Sequence, residues 1–551
     1  MQAQLTEIPV KPIYQLLDDA VARNGNKRAI DFLDRIWTYN ELGNLVDHAA
    51  AGFRALGVKR GVKVGLHLPN TPYFVICYFA ILKAGGTVVN YNPLYVEREL
   101  VHQITDSGTS IMVTMDLAQL YSKVSPLLGK TSLEKLVVCK MADILPRAKS
   151  VLFTLLKRRD RAEISKDKNV IGFADLIKLG KVEKPATIDV KNEIAVLQYT
   201  GGTTGVPKGA ILTHGNISAN VEQLSRLVSM FDRSNDKMLC ALPFFHVFGM
   251  TVAMLLGVNF GAELILLPRF EVAQVLKVIT KKKPTLFPGV PTIYTAINRA
   301  MAAHKDKYDL KSIQCCVSGG APLPVEVQQE FERVTGCKLR EGFGLSEASP
   351  VVTCNPFVGP TYAGSIGLPL AGTVVEFRSL DDPSKQVARG EKGEVCVRGP
   401  QVMAGYWQNP QATKDQMIDG ALRTGDVGYE DEQGFIHIVD RIKDLIICSG
   451  NNVYPRAVEN AIYAHPAVAE AVVIGVKDTY RGQSPKAFVK LKDGAHLSAA
   501  ELKVHLAEHL SKLEMPHEIE FRDSLPKTMI GKLSKKALVD EELAKTAGAA
   551  A

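Results

Sequence analysis

Aromatic residues make up only 7% of the 551 positions, and tryptophan occurs twice. No uninterrupted apolar run reaches the roughly 20 residues that a bilayer-spanning helix needs. The most apolar stretch, Val252 to Pro268, is broken by Asn259 and Glu263 and reads as a buried helix followed by a strand. Nine cysteines, an odd number, stand at 77, 139, 240, 315, 316, 337, 354, 396 and 448, with no C-x-x-C pair. That pattern argues against a zinc site or a disulfide framework and suits a reducing cytoplasm. The first twenty residues lack a basic segment leading into an apolar run, so no secretory signal is expected. No internal repeat is visible. Charge of one sign is also lacking: 66 Lys+Arg against 58 Asp+Glu leave +8. There is no basic face or tail of the kind nucleic-acid binders carry, and no nucleic-acid partner is expected. The mild excess fits an anionic small molecule or a lipid surface.

What is present is a globular composition, 46% hydrophobic and 23% charged. Short apolar β-rich runs alternate with helical patterns: Val62–Leu68, Ser110–Thr114, Leu136–Cys139, Glu263–Leu267 and Ile313–Ser318 read as strands, and Pro72–Lys83 as a buried helix. This alternation predicts parallel sheets covered by helices. From about Gly372 the texture becomes short alternating strands between Gly- and Asp-rich turns, a small antiparallel or β-barrel-like unit over 373–439. After Asp440 an αββα-like pattern predicts a small α+β domain: helix Ala457–Ala464, strands Val468–Val476 and Lys486–Leu491, and helix Ala499–Leu510, ending in an Ala-rich tail expected to fray. Residues 146–168 stand apart. An apolar centre, Val151–Leu156, is flanked by Lys149 and by Lys157, Arg158, Arg159 and Arg161. Two readings stay open for it: a surface helix with a solvated basic face, or an interfacial helix touching anionic lipid.

The most informative segment is Leu197–His214, in which an apolar run enters Tyr199-Thr200-Gly201-Gly202-Thr203-Thr204-Gly205-Val206-Pro207-Lys208-Gly209. Glycines let backbone N–H groups approach phosphate oxygens, threonine hydroxyls add donors, and Lys208 supplies a point charge. A phosphate-binding loop follows on physical grounds. It is not a Walker A loop, because Lys208 lies between Pro207 and Gly209 and the chain then continues as a strand.

At these residues the sequence resembles the adenylate-forming superfamily, most closely its fatty acyl-CoA synthetases. Further motifs appear in that family's order: Ser318-Gly319-Gly320-Ala321-Pro322-Leu323, Glu341-Gly342-Phe343-Gly344-Leu345-Ser346-Glu347, Arg423-Thr424-Gly425-Asp426, Asp440-Arg441-Ile442-Lys443-Asp444-Leu445, and Pro526–Leu533 with Lys532. Early matches are Leu68-Pro69-Asn70 and Leu82–Gly86.

The resemblance implies a large α/β adenylation domain of stacked mixed and parallel sheets over 1–439, a hinge at 440–445 and a mobile C-terminal domain over 446–551. It implies ATP held by the phosphate loop, by Gly319–Pro322 and by Glu341–Ser346 with Phe343 beside adenine. Thr203 and Glu347 would hold Mg²⁺, Asp426 would take the ribose hydroxyls, and Arg441 would contact ribose or phosphate. Lys532 would stabilise the α-phosphate as pyrophosphate leaves. The small domain would then turn about Lys443 and present Ser449-Gly450-Asn451 to coenzyme A. One departure from the family pattern is Ala457, where an acid is usual.

The implied activity is conversion of a carboxylic acid to an acyl-adenylate and then an acyl-CoA. Phe245, His246, Phe248, Gly249 and Gly364 are candidates for the acyl pocket; ordinary core packing is the competing reading for the aromatics, and His246 is either a gate or a hydrogen-bonded core histidine. The loop variant, the Asp-Arg-x-Lys-Asp-Leu linker and the basic insertion favour a medium- to long-chain fatty acid. An aryl acid of the coumarate type, and an adenylate former without CoA transfer, stay open. The resemblance also implies a homodimer; the lipid-contact reading of the insertion would place the protein peripherally at the inner face of the cytoplasmic membrane.

Overall fold

Apolar strands joined through helices pair in parallel when each crossover helix covers a face of the sheet. The computed structural model describes residues 7–200, 207–231, 233, 235–304, 307–362, 364–449, 451–478, 480–527 and 533–549. The chain divides into two compact units, Met1–Val374 with Val397–Leu422, and Val375–Cys396 with Arg423–Ala551. The strands expected as one small β unit over 373–439 are thus shared between the two.

The first unit carries two sheets. One has the neighbour order Gly405–Tyr406, Lys208–Thr213, Ile194–Thr200, Thr87–Asn90, Lys63–Leu66, Thr109–Met115, Lys135–Cys139 and Val170–Gly172. Lys63–Leu66 pairs in parallel with both Thr87–Asn90 and Thr109–Met115. Between the first two of these strands stands helix Pro72–Lys83, all twelve residues buried. Pro72 is tolerated because the first helical turn leaves its N–H groups unbonded anyway. Lys83 survives burial because its ammonium meets Asp18 and Asp47, each at 2.6 Å. Gly85, at φ +88°, turns the chain into the next strand.

The other sheet orders Ser365–Pro369, Val351–Cys354, Lys338–Gly344, Cys315–Ser318, Leu286–Gly289, Lys237–Cys240, Glu263–Leu266, Arg28–Phe32 and Arg35–Thr38. Its middle pairs are parallel and its ends antiparallel. The apolar stretch from Val252 is helical as expected, but its first four residues belong to a π-helix, Gly249–Leu255. It continues as helix Leu256–Phe260, and Gly261, at φ +70°, releases the chain into strand Glu263–Leu266.

In the second unit, residues 375–396 and 423–441 contribute to strands that neighbour each other in the order Val374–Arg378, Gly393–Arg398, Ala421–Glu430 and Ile436–Arg441. The barrel-like expectation is corrected here: the ladder is open, since a barrel requires first and last strands to pair and these do not among the described residues. The C-terminal part holds a five-stranded sheet rather than two strands. Val468–Asp478 and Gly482–Leu491 form its long hairpin. Ile446–Cys448, Asn451–Val453 and Glu518–Phe521 add to it. Their shortness, three or four residues each, hid them from a periodicity reading. Val458, Ile462, Val473, Val489, Leu502 and Leu506 form its core. The Ala-rich end is helical to Ala549 rather than irregular, in keeping with alanine's helix propensity. Residues 442–444 make one 3₁₀ turn between Ile436–Arg441 and Ile446–Cys448. Among the described residues no helix is long and apolar enough to cross a membrane.

Candidate functional site

The strands expected on either side of the glycine- and threonine-rich segment are both present. Ile194–Thr200 and Lys208–Thr213 pair antiparallel with Thr200 opposite Lys208, so one polar residue and one cation flank the mouth of the turn. Gly201, Gly202, Thr203, Thr204 and Gly205 lie outside the described residues, as do Gly450 and Lys532. Gly209 admits Tyr199: a Cβ there would stand 3.1 Å from the tyrosine ring. The Tyr199 hydroxyl in turn donates to Asp106.

Strand Gly405–Tyr406 pairs with the exit strand of this hairpin, Tyr406 opposite Ala210. The ammonium of Lys208 stands 5.3 Å from the centre of the Tyr406 ring. The Tyr406 hydroxyl donates to Glu347 Oε1 at 2.8 Å, and the Met403 N–H donates to the Glu347 carbonyl at 2.8 Å. Burial and then the adjacent Glu347 charge push the phenol well above its ordinary value, so it stays a donor. No hydrogen bond or ion pair engages Glu347 Oε2 among the described residues. One carboxylate oxygen is thereby held and the other is available to a hard cation that prefers oxygen donors. The residues present fit magnesium. Sequence reasoning missed Tyr406: the Gly405-Tyr406-Trp407 run was legible, but a lone tyrosine in a strand reads as core.

The two adenine-segment motifs are brought together. Ser318 pairs with Glu341 across adjacent parallel strands, and the buried Glu341 accepts the Leu323 N–H at 3.1 Å. This ties the loop containing Gly319, Gly320, Ala321 and Pro322 to the strand containing Gly342 and Phe343. Gly344 is obligatory, since a Cβ would fall 2.1 Å from the Pro350 carbonyl oxygen, and Leu345 N–H donates to that same oxygen at 3.0 Å. Ser346 and Glu347 follow in a 3₁₀ turn.

Phe248 is buried against this junction: a Cβ on Gly319 would stand 3.2 Å from its ring. Phe245 and His246 are half-buried. His246 Nδ1 accepts the Phe248 N–H at 3.3 Å. Gly249 serves packing, because a Cβ would lie 2.2 Å from the Pro243 oxygen. Gly364, at φ +74°, has open space where a side chain would be. Asn70 sets the path of this segment. It donates to the Cys240 and Leu242 carbonyls and accepts the Phe244 N–H, at 3.2, 2.8 and 2.8 Å. Its role was invisible in sequence because its partners lie some 170 residues away.

In the second unit, Asp426 stands opposite Arg441 in an antiparallel pair, and Arg441 Nε donates to Asp426 Oδ1 at 3.1 Å. Burial raises the Asp426 carboxyl while the guanidinium opposes the rise. Arg423 forks onto one oxygen of the buried Glu394 at 2.9 and 2.7 Å, and the Gly425 N–H meets the other at 3.3 Å. Glu394 is therefore what shapes the turn before Asp426, and the motif alone did not reveal it. Lys443 is exposed, yet partial desolvation lowers its ammonium. Ser449 adopts φ +51° at the tip of the hairpin joining Ile446–Cys448 to Asn451–Val453, and Asn451 donates to its carbonyl at 3.1 Å.

The unusual Ala457 has a structural complement. Asp440 Oδ2 accepts the Arg456 N–H at 2.6 Å, which places an acid at the first turn of helix Pro455–Tyr463 from outside it. Glu459, the remaining acid of the pattern, pairs with Lys535 at 3.1 Å.

A glycine- and threonine-bearing hairpin with a lysine at its mouth, neighbouring a phenol-held carboxylate on a parallel α/β scaffold, has the make-up of a nucleotide-phosphate site. The chain belongs to the AMP-binding enzyme family: residues 17–407 match the AMP-binding enzyme model and 457–532 that of the AMP-binding enzyme C-terminal domain. It is 44% identical to a long-chain-fatty-acid–CoA ligase of Bacillus subtilis (strain 168), over 97% of this chain and 95% of that one. A ligase of the same name from Yersinia pestis is 38% identical over 96% and 94%. A 4-coumarate-CoA ligase 1 of Narcissus pseudonarcissus is 32% identical over 92% and 89%. Among solved structures, ATP-bound MatB from Rhodopseudomonas palustris superposes with a TM-score of 0.84 at 28% identity, covering 97% of this chain and 99% of that one.

Proposed function

We infer that this chain is an ATP-dependent fatty acid–CoA ligase (AMP-forming) acting on medium- to long-chain acids. The observation that carries the nucleotide chemistry is the Glu347 carboxylate, one oxygen held by Tyr406 and the other unengaged among the described residues, beside the Lys208 strand. The fatty-acid assignment is supported by greater identity to the fatty-acid ligases than to the coumarate ligase.

A carboxylate is a poor acyl donor because its leaving group would be oxide. In the proposed first step a carboxylate oxygen attacks the α-phosphorus of ATP, the bond to the bridging oxygen breaks, and pyrophosphate leaves. Negative charge gathers on the phosphate oxygens, so catalysis is chiefly electrostatic. Lys208 and the loop residues Thr200 to Gly205 hold the β- and γ-phosphates, and Lys532 meets the α-phosphate. Glu347 and Thr203 would hold magnesium, which when bound would supply neutralisation of phosphate charge. Phe343 and the Gly319–Pro322 loop take adenine, and Asp426, oriented by Arg441, takes the ribose hydroxyls. Phe245, His246, Phe248 and Gly364 lie along the acyl chain.

In the second step the thiolate of coenzyme A attacks the acyl carbon, the bond to AMP breaks, and the thiol proton passes to solvent. Lys443 is the pivot of a rotation that exchanges Lys532 for the Ser449–Asn451 turn, one site serving two reactions by a hinge motion.

The test is a panel of acids from acetate to oleate, with coumarate and benzoate, assayed with magnesium, ATP and coenzyme A while AMP and acyl-CoA are followed separately. A maximum at the long-chain acids is expected. A maximum at aryl acids would keep the mechanism and overturn the substrate; AMP without acyl-CoA would overturn the ligase assignment.

A further inference from the structure

Helix Arg147–Leu156 buries none of its residues. Val151, Leu152, Leu155 and Leu156 are 60, 56, 71 and 71% exposed. At 3.6 residues per turn these four occupy about 140° of the helix circumference. Sixteen large apolar side chains are exposed among the described residues, and four of them fall within these six positions. Single exposed aliphatics are ordinary, but a contiguous cluster marks an interaction surface.

The helix is seated by its other side. Ser150 and Phe153 are half-buried, and Lys149 Nζ bonds the Leu33 carbonyl and Asp34 Oδ2, each at 2.8 Å. The apolar arc is thus held facing outward by a fixed anchor.

Charge rims this arc. Between 147 and 168 there are eight basic residues and three acidic ones, a local excess of five in a chain whose total is eight. Lys149, Lys157 and Arg161 are spent on ion pairs with Asp34, Asp160 and Asp116. Arg147, Arg158 and Arg159 form no ion pair among the described residues. A helix that merely displayed a solvated basic face would turn its cations outward; here four large aliphatic side chains occupy that position and the cations flank them.

We propose that this helix is a docking surface for an anionic lipid bilayer, lying in the interface plane with Val151, Leu152, Leu155 and Leu156 entering the acyl boundary and Arg147, Arg158 and Arg159 meeting lipid phosphates. Charge complementarity selects this occupant. Two copies of the chain meeting through this face would oppose like charges, and a nucleic acid would leave the leucines in water. An aliphatic arc with a cationic rim matches the layered chemistry of an anionic membrane surface, apolar inside and negative outside.

The inference stands on the surface alone, independent of which acid the enzyme activates. Its test is co-sedimentation of the full-length protein with vesicles of phosphatidylcholine alone, and of phosphatidylcholine mixed with phosphatidylglycerol, at low and high salt. Wild type is expected to partition onto the anionic vesicles and to be released by salt. Arg158→Ala/Arg159→Ala should weaken that partition on the order of twentyfold. Leu152→Ser/Leu155→Ser should weaken it at both salt concentrations. Because all four positions are exposed, both variants should melt at the wild-type temperature and keep wild-type turnover without vesicles. Equal partition of wild type and both variants, or equal binding of wild type to neutral and anionic vesicles, would overturn the proposal. So would a wild-type dimer that the leucine variant converts to monomer in sedimentation equilibrium, since the arc would then be covered by a second copy.

Discussion

The hydroxyl of Tyr406 donates to Glu347 Oε1 at 2.8 Å, across 59 residues of sequence. The same tyrosine sits in a strand paired with the exit strand of the phosphate-loop hairpin. One side chain therefore links the loop's scaffold to the carboxylate proposed to hold magnesium. A hydrogen bond to a charged acceptor contributes about 1.5–3 kcal/mol, and in the proposed site it would also leave Oε2 as the oxygen that faces the cation.

Tyr406→Phe is accordingly expected to raise the magnesium concentration for half-maximal AMP release about tenfold or more, with a smaller change in the ATP requirement at saturating magnesium. Glu347→Gln should cost more, since it removes the anionic donor itself. Titrating magnesium against AMP formation checks both; an unchanged magnesium dependence in Tyr406→Phe would remove its positioning role.

The two proposed half-reactions separate two lysines. Lys532→Ala is expected to slow adenylate formation about a hundredfold or more, the scale of losing one electrostatic stabiliser at a developing charge, while sparing thioesterification of a supplied acyl-adenylate. Lys443→Pro should do the reverse, leaving pyrophosphate release intact and impairing acyl-CoA formation. Single-turnover assays of each step decide; parallel losses in both steps would remove the division of labour.

Asn70 holds the segment before Phe245 by three hydrogen bonds in a buried setting. Asn70→Ala leaves those backbone groups without partners, and about 3 kcal/mol of destabilisation is expected. A thermal melt should show a lowered first transition. Acyl-substrate KM should rise as well, because the backbone leading to Phe245 and Phe248 loses its tether.

Acid should act first on the C-terminal part of the second unit. Lys486, whose side chain is almost fully buried, meets Glu518, Glu520 and Glu542 at 2.8, 3.1 and 3.1 Å. Burial alone would lower the ammonium, but these carboxylates raise it. Burial likewise raises Glu520 and Glu542, yet hydrogen bonds outweigh it and both are lowered, from Arg522 and Lys486 for the first and from Lys545 and Lys486 for the second. Carboxyls depressed in the folded state contribute stability above their unfolded value, about 4.3, and lose it as pH falls through their lower folded values. Unfolding followed by intrinsic fluorescence and far-ultraviolet circular dichroism should show stability falling below about pH 4.5. Lys486→Met should destabilise at neutral pH by about 2 kcal/mol, less than for a wholly buried ion pair because Glu518 stays half exposed. Its remaining stability should fall less steeply with acid.

Much of the parallel architecture was legible in the chain. Runs such as Lys63–Leu66 and Thr109–Met115, separated by a largely apolar helix and by glycines, admit few arrangements other than parallel strands with crossover helices. The π-helical winding of Gly249–Leu255 was not legible, because an apolar segment buried on all sides carries no periodicity to read. Nor were the three short strands that complete the C-terminal sheet: three or four residues hold no pattern, whether the partner is the next strand, as for Ile446–Cys448 and Asn451–Val453, or a distant one, as for Glu518–Phe521.

The class of the proposed site is written locally in the chain. Gly201, Gly202 and Gly205 with their threonines, the Glu347 turn and Asp426 are local signatures, since phosphate and ribose recognition depend on backbone freedom and on donors closely spaced along the chain. Only the tertiary structure decided how those groups are supported. Tyr406 on Glu347, Glu394 behind the turn before Asp426, Asp440 at the helix start where Ala457 lacks an acid, and Asn70 beneath the aromatic segment are pairings between residues 16 to 174 positions apart. Each exists because a buried polar group must find a partner wherever the fold places one, and sequence spacing carries no record of where that is.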